Sequence, residues 1–142
     1  MFTPVQIELD PGAEDNGLAN MLQTLMRQCV EDHPEREGIL RKLSGRMAIF
    51  AEDAEVAISI DFEGDRVVFR DGIIGIPNLT IRGGFEHIGD LSRMEALGSV
   101  PDPRGAVNKA LFGAMRRGEL RVHGLPQALP LLLGFSDVMH VA

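Results

Sequence analysis

The apolar residues Leu18, Met21, Leu22, Leu25, Met26, Cys29 and Val30 recur at three- and four-residue spacing, which sets them on one face of an α-helix. Asp15 or Asn16 stands where an N-cap is needed, and Pro34 lies just past the end. A short second helix is predicted over residues 34–43, burying Ile39, Leu40 and Leu43. After Ser44 and Gly45 the period changes to two. Met47 and Ile49 make a first short strand, Glu52, Asp53 and Ala54 turn the chain, and residues 56–62 alternate large apolar with small or polar side chains. Glu63-Gly64-Asp65 reads as a hairpin turn with its return strand at 66–70. Leu79 to Arg82 form a fourth strand after the loop 71–78, and Gly83-Gly84 end it.

Helical spacing resumes over 85–94, with Phe85, Ile88 and Leu91 on one face, and a Pro- and Gly-containing linker occupies 98–105. Residues 106–115 are helical by the spacing of Val107, Ala110, Leu111, Ala114 and Met115. A short alternating strand follows, Gly118-Glu119-Leu120-Arg121-Val122-His123-Gly124, and then a last apolar segment over 125–139. Residues 1–17 are acidic, contain Pro4 and Pro11 and keep no sustained period, so they are read as an N-terminal extension of one domain spanning 18–142. No internal repeat occurs, which excludes solenoids and propellers. Helices, then a meander, then helix, strand and helix predict an α+β fold, an antiparallel sheet covered on one face.

The chain has 142 residues, enough for one domain and a sizeable core. Its aromatic residues are seven Phe with no Trp and no Tyr, alongside seven Met, so the apolar material carries almost no polar handles. A formal charge of −7, with Lys42 and Lys109 the only lysines, disfavours a nucleic-acid partner. The single Cys29 cannot form an internal disulfide. No basic start followed by an apolar run opens the chain, and no stretch nears the ~20 apolar residues of a membrane span. A cytoplasmic location is expected.

Four blocks carry a family resemblance. A helix containing Ala110, Leu111 and Phe112 leads through Gly118 into Gly-x-Leu-x-Val-x-Gly and a Leu-rich helix; upstream stand Gly45-Arg46-Met47-Ala48-Ile49-Phe50, the hairpin around Gly64, and Asn78-Leu79-Thr80-Ile81 before a helix carrying Phe85. In this order of elements and glycines the chain resembles the sterol carrier protein-2 type, or nonspecific lipid-transfer, domain over roughly residues 18–139. The resemblance implies a five-stranded sheet with helices on one side, enclosing an apolar tunnel for fatty acyl chains, sterols or isoprenoids. The floor of such a tunnel would come from Val56, Ile58, Ile60, Phe62, Val67, Phe69, Leu79, Ile81, Leu120 and Val122, and its lid from the first and last helices. Met21, Met26, Met115 and Met139 suit a cavity for ligands of varied shape. The expected ligand-binding residues are Leu22, Met26, Ile58, Ile60, Phe69, Ile81, Phe112, Met115, Val122, Leu129, Leu132 and Leu133. Pro130 departs from the pattern, since within a helix that began near Pro126 it would remove a hydrogen bond; either the last helix starts near Pro130 or it is kinked there. His140-Val141-Ala142 is not the peroxisomal Ser-Lys-Leu address, which favours a bacterial-like cytoplasmic relative.

The spacings of the common metal, nucleophile and phosphate motifs are absent, so no catalytic residue, metal ligand or cofactor is assigned and a non-enzymatic role is expected. Ser136, Asp137 and His140 hold triad residue types crowded into five positions, the wrong geometry for a relay. Cys29 on an apolar stripe reads as a buried small hydrophobe, and His123 as solvated. Asp61, Glu63 and Asp65 cluster at a hairpin, where solvated turn chemistry is the ordinary reading. Arg116, Arg117 and Arg121 form a basic patch that either meets an anionic head group in transient membrane contact or caps a helix C-terminus. Three roles are consistent with these features. The first is a carrier of a lipid-like small molecule. The second is an assembly module with a filled cavity, for instance a homodimer built on Pro130 and Leu131 to Leu133. The third is an accessory factor in a lipid or isoprenoid biosynthetic pathway.

Overall fold

A computed structural model describes residues 4–90, 96–97, 100–101 and 106–139. The elements in order are β1 (Gln6–Leu9), a 3-10 turn (Pro11–Ala13), α1 (Gly17–Asp32), a second 3-10 turn (Pro34–Arg36), α2 (Glu37–Lys42), β2 (Ser44–Ala51), β3 (Val56–Glu63), β4 (Arg66–Asp71) and β5 (Leu79–Gly83). They continue with α3 (Phe85–Asp90), the two-residue strands β6 (Ala96–Leu97) and β7 (Val100–Pro101), α4 (Ala106–Arg116), β8 (Leu120–His123) and α5 (Leu129–Met139). Among the described residues the main sheet has six strands in the order β1-β4-β3-β2-β5-β8, and β6 pairs with β7.

Two features of this sheet correct the expected five antiparallel strands. The sixth strand is β1, supplied by the segment read as an extension, and it joins β4 in parallel register from Gln6 opposite Arg66 to Leu9 opposite Phe69. Its alternation is only four residues long, with Gln6 and Glu8 exposed and Ile7 and Leu9 half-buried, too short to register as a period beside Pro4 and Pro11. The second parallel pair is β2 with β5, Met47 opposite Leu79. Since β2–β3 and β3–β4 are antiparallel, β4 and β5 run the same way with two strands between them. Segment 72–78 must therefore cross roughly three inter-strand spacings, or ~14 Å, well within the reach of seven residues. Asn78 anchors the arrival. Its N–H donates to Arg46 O and its Oδ1 accepts from Arg46 N, both at 2.8 Å. Gly124, at φ +110°, brings the backbone after β8 against the Asn78 carbonyl, where any Cβ would collide.

The remaining elements follow the sequence pattern closely. Asn16 caps α1, its Oδ1 accepting from Ala19 N at 3.1 Å, while its amide donates to Ala57 O and Asp71 Oδ1 and so ties the helix to the sheet. The last helix begins at Leu129, which puts Pro130 in the first turn, where no N–H is needed; a kink is not required. Of the helix expected over 85–94, α3 is its first part, and the rest, like most of the linker 98–105, lies outside the described residues.

One apolar cluster fills the space between sheet and helices. It contains Met47, Ile49, Ile58, Ile60, Phe62, Val67, Phe69, Leu79, Ile81 and Leu120 from the strands, and Leu18, Leu22, Met26, Leu131, Leu132, Phe135 and Val138 from α1 and α5. Phe62 and Phe135 meet edge to face across it, with ring centroids 6.4 Å apart and planes at 77°. The opposite face of the sheet is held by charge. Asp61 is buried between Arg46 Nε at 2.5 Å and Arg70 Nε at 2.7 Å, and Arg70 also reaches Asp10. Burial alone would raise the Asp61 carboxyl; the hydrogen bonds and charges of Arg46 and Arg70 outweigh it and hold the group below the usual carboxylate range.

Candidate ligand-binding site

Where α1, α3 and α5 converge over β2, the cluster is incompletely filled. Leu18, Met21, Leu22 and Leu25 of α1, Ile49 of β2, Phe85, Ile88 and Gly89 of α3, and Phe135 and Met139 of α5 enclose a cavity of about 80 Å³. The lining follows from the sequence periodicities: α1 presents its three- and four-spaced stripe, β2 an inward residue, and α3 its Phe85/Ile88 face. Asp53, in the turn after β2, fixes α3 by accepting from Phe85 N at 3.0 Å. Among the described residues no titratable side chain lines the space, so an ionised group would find no partner among them and an alkyl or isoprenyl chain loses nothing by burial against them. At the rim Met21 is 43% and Phe85 42% exposed, so the cavity edge already shows apolar surface to solvent.

The expected ligand residues divide sharply. Leu22 lines the cavity. Met26, Ile58, Ile60, Phe69 and Ile81 are fully buried core, packed where a tunnel floor was expected, and Leu132 and Leu133 are buried on α5. Phe112 is 38% exposed on α4, and Met115, Val122 and Leu129 are half-buried, none of them at the cavity. Of the four methionines, Met21 and Met139 line it and Met26 and Met115 do not. The residues that sequence reasoning left off its list, such as Ile49, Phe85, Ile88 and Phe135, lie at positions whose spacing it had read; their convergence depends on how α3 docks. Leu129 and Leu133 instead line an open groove of about 780 Å³ between α2 and α5, with Ile39, Leu43 and Pro130. The run Leu131 to Leu133, expected as an exposed contact surface, is buried.

The three arginines do not form one patch. Arg116 is exposed at the end of α4; Arg117 pairs with Glu119 at 3.0 Å; Arg121 lies on β8 and pairs with Glu52 at 2.6 Å. The hydrogen bond from Arg117 lowers the Glu119 carboxyl, and the Arg117 guanidinium is raised in return. Asp61 is not a solvated turn carboxylate but the buried centre of an ion-pair cluster, while Glu63 pairs with Arg66. Cys29 is buried, and desolvation pushes its thiol up, with the nearby Arg36 a smaller opposing influence. His123 is exposed, Ser136 is buried, Asp137 is exposed on the next position, and His140 lies outside the described residues. Among the described residues no three His, Cys, Asp or Glu side chains converge as metal ligands, and no helix is long and apolar enough to cross a membrane.

A solved structure described as UbiJ-SCP2, a ubiquinone synthesis protein, superposes with a TM-score of 0.58 over 86% of this chain and 94% of its own, at 15% identity. The chain has the sterol carrier protein-2 type of fold. A structure of sterol carrier protein 2 itself matches over 87% of this chain and 96% of its own, at 14% identity and a TM-score of 0.47. No family model matches the sequence, and no curated protein is detectably similar to it. The sterol-carrier-like fold accounts for the pattern of elements from Leu18 onward, and in this chain β1 adds a parallel strand beside β4.

Proposed function

We propose that this protein binds and carries a lipid-like molecule, non-enzymatically, with an acyl or isoprenyl chain lodged between α1, α3, α5 and β2. The observation that carries the reading is the cavity in which every described lining side chain is apolar, opening at exposed Met21 and Phe85. Its 80 Å³ is small against the ~300–1,000 Å³ of ordinary ligand sites, so uptake of a whole chain requires the site to widen. Met21 and Met139 are the parts able to yield, since methionine has three rotatable bonds. The ligand's polar end stays at the rim, because no described lining side chain would solvate it. An accessory role in an isoprenoid pathway fits the same chemistry, the fold neighbour UbiJ-SCP2 being described as a ubiquinone synthesis protein.

Titration with a fluorescent long-chain fatty acid tests the reading. Saturable uptake, competed by an unlabelled isoprenoid alcohol, is the expected result. Absence of uptake, together with no lipid in an organic extract of natively purified protein, would contradict it. The small cavity favours one rival, an assembly module that keeps the fold with the space closed. Sedimentation at several concentrations separates the two, since a strict monomer that takes up lipid leaves no room for the rival.

A further inference from the structure

The face of the sheet opposite the helices is crossed by segment 72–78, which acts as a strap. Ser59 fixes its start, the hydroxyl donating to Gly72 O at 2.7 Å and accepting from Ile74 N at 3.0 Å. Arg46 fixes its middle by donating to Ile74 O at 2.8 Å, and Asn78 ends it. With its backbone committed to the sheet, the strap turns apolar side chains outward: Ile73 is 49%, Ile74 39% and Ile76 94% exposed. The segment Gly-Ile-Ile-Gly-Ile-Pro-Asn carries no charge. Three neighbouring isoleucines in a mostly polar surface give the folded chain little stability and mark a contact.

Arg82 stands on the same face of the sheet as the strap. Phe50 stands opposite Ala57, whose carbonyl accepts from Gly72 N, so its ring lies in the row where the strap begins. The Arg82 guanidinium lies over that ring, 5.3 Å from its centroid. Arg82 is also directly opposite Arg121 across the β5–β8 pair, a like-charge placement that opposes strand pairing. Glu52 neutralises Arg121. Arg82 has no carboxylate partner among the described residues, and its buried Nε has no acceptor there.

We propose that this face docks on an anionic phospholipid surface, the strap isoleucines entering the interface and Arg82 meeting the head groups. Exposed apolar side chains sharing a face with a basic residue are the composition that interfacial anchors use. A seven-residue strap is far below the ~20–30 residues a side of a stable protein interface, whereas a lipid surface requires no complementary shape. The apolar cavity lies on the other side of the sheet, so docking is a separate property from ligand uptake, and each can fail without the other.

Co-sedimentation of the full chain with vesicles of phosphatidylcholine, alone and mixed with phosphatidylserine, tests the proposal. Binding to the mixed vesicles is expected, weakened about tenfold by Ile76→Ser and severalfold by Arg82→Gln. Melting temperature and fatty-acid uptake in solution are expected to stay unchanged in Ile76→Ser, since that side chain is almost fully exposed. No binding to the mixed vesicles, binding that survives the Ile73→Ser/Ile76→Ser pair, or binding that is indifferent to phosphatidylserine would overturn it. So would a concentration-dependent dimer abolished by Ile76→Ser, which would assign the face to a second copy.

Discussion

Ile49 and Ile58 stand directly opposite each other in the β2–β3 pair and both are fully buried, but only Ile49 borders the cavity. Truncating each to alanine therefore separates core packing from ligand binding. Ile49→Ala removes three carbons at ~0.8 kcal/mol each and leaves added space, for a cost of about 3 kcal/mol, or a fall in Tm of roughly 10 °C in a domain of this size. Ile58→Ala is expected to cost the same. The variants diverge when a long-chain fatty acid is added. Ligand at ~100 times its Kd stabilises a one-site protein by about 2.7 kcal/mol, and the enlarged site in Ile49→Ala accommodates the chain with less rearrangement. The assay is thermal unfolding with and without fatty acid. Its expected outcome is a ligand-induced rise in Tm that is larger in Ile49→Ala than in the unaltered protein and unchanged in Ile58→Ala. Equal rises in the two variants, or a smaller one in Ile49→Ala, would refute the placement of the chain against β2.

Three further predictions concern the framework. Asn16→Ala removes both the cap of α1 and the amide bonds to Ala57 and Asp71, so chemical denaturation is expected to show a loss of about 2–3 kcal/mol, with a loss under ~0.5 kcal/mol contradicting the tie between helix and sheet. Asp61→Asn is expected to cost about 2–4 kcal/mol at neutral pH, because Arg46 and Arg70 lose the charge they share. Since the folded-state Asp61 carboxyl is lowered, its contribution is complete above its unfolded value of ~3.9 and is lost as pH falls through the depressed folded value; the gap between variant and unaltered protein should close in acid, and a gap independent of pH would count against the cluster. Cys29, with its thiol raised by burial, is expected to react with a thiol reagent only at the rate of unfolding, and rapid labelling of folded protein would contradict its burial.

Much of this architecture is legible in the sequence because it rests on local periodicity. The α1 stripe, the alternation of β3 and β4, the glycine-bracketed β8 and the late start of α5 at Leu129 each follow from spacing, caps and proline chemistry within one element. What was not legible depends on distant pairing. The four residues of β1 become a strand only because β4 offers an edge, and the parallel pair β2–β5 depends on a strap that Ser59 and Arg46 secure from elsewhere in the chain. Asp61 reads from sequence as one of three carboxylates at a hairpin, and only the register sets it together with Arg46 and Arg70. The cavity shows the same limit. Apolar faces identify what is buried, but whether Ile60 or Ile49 borders a space is decided by where the short α3 comes to rest.

Native mass spectrometry of the purified full chain, before and after mild denaturation, tests the central claim most directly. A monomer carrying one lipid-sized mass, or acquiring one when mixed with a long-chain fatty acid and releasing it on unfolding, is the predicted result. A bare chain that takes up no such mass at any fatty-acid concentration would contradict it.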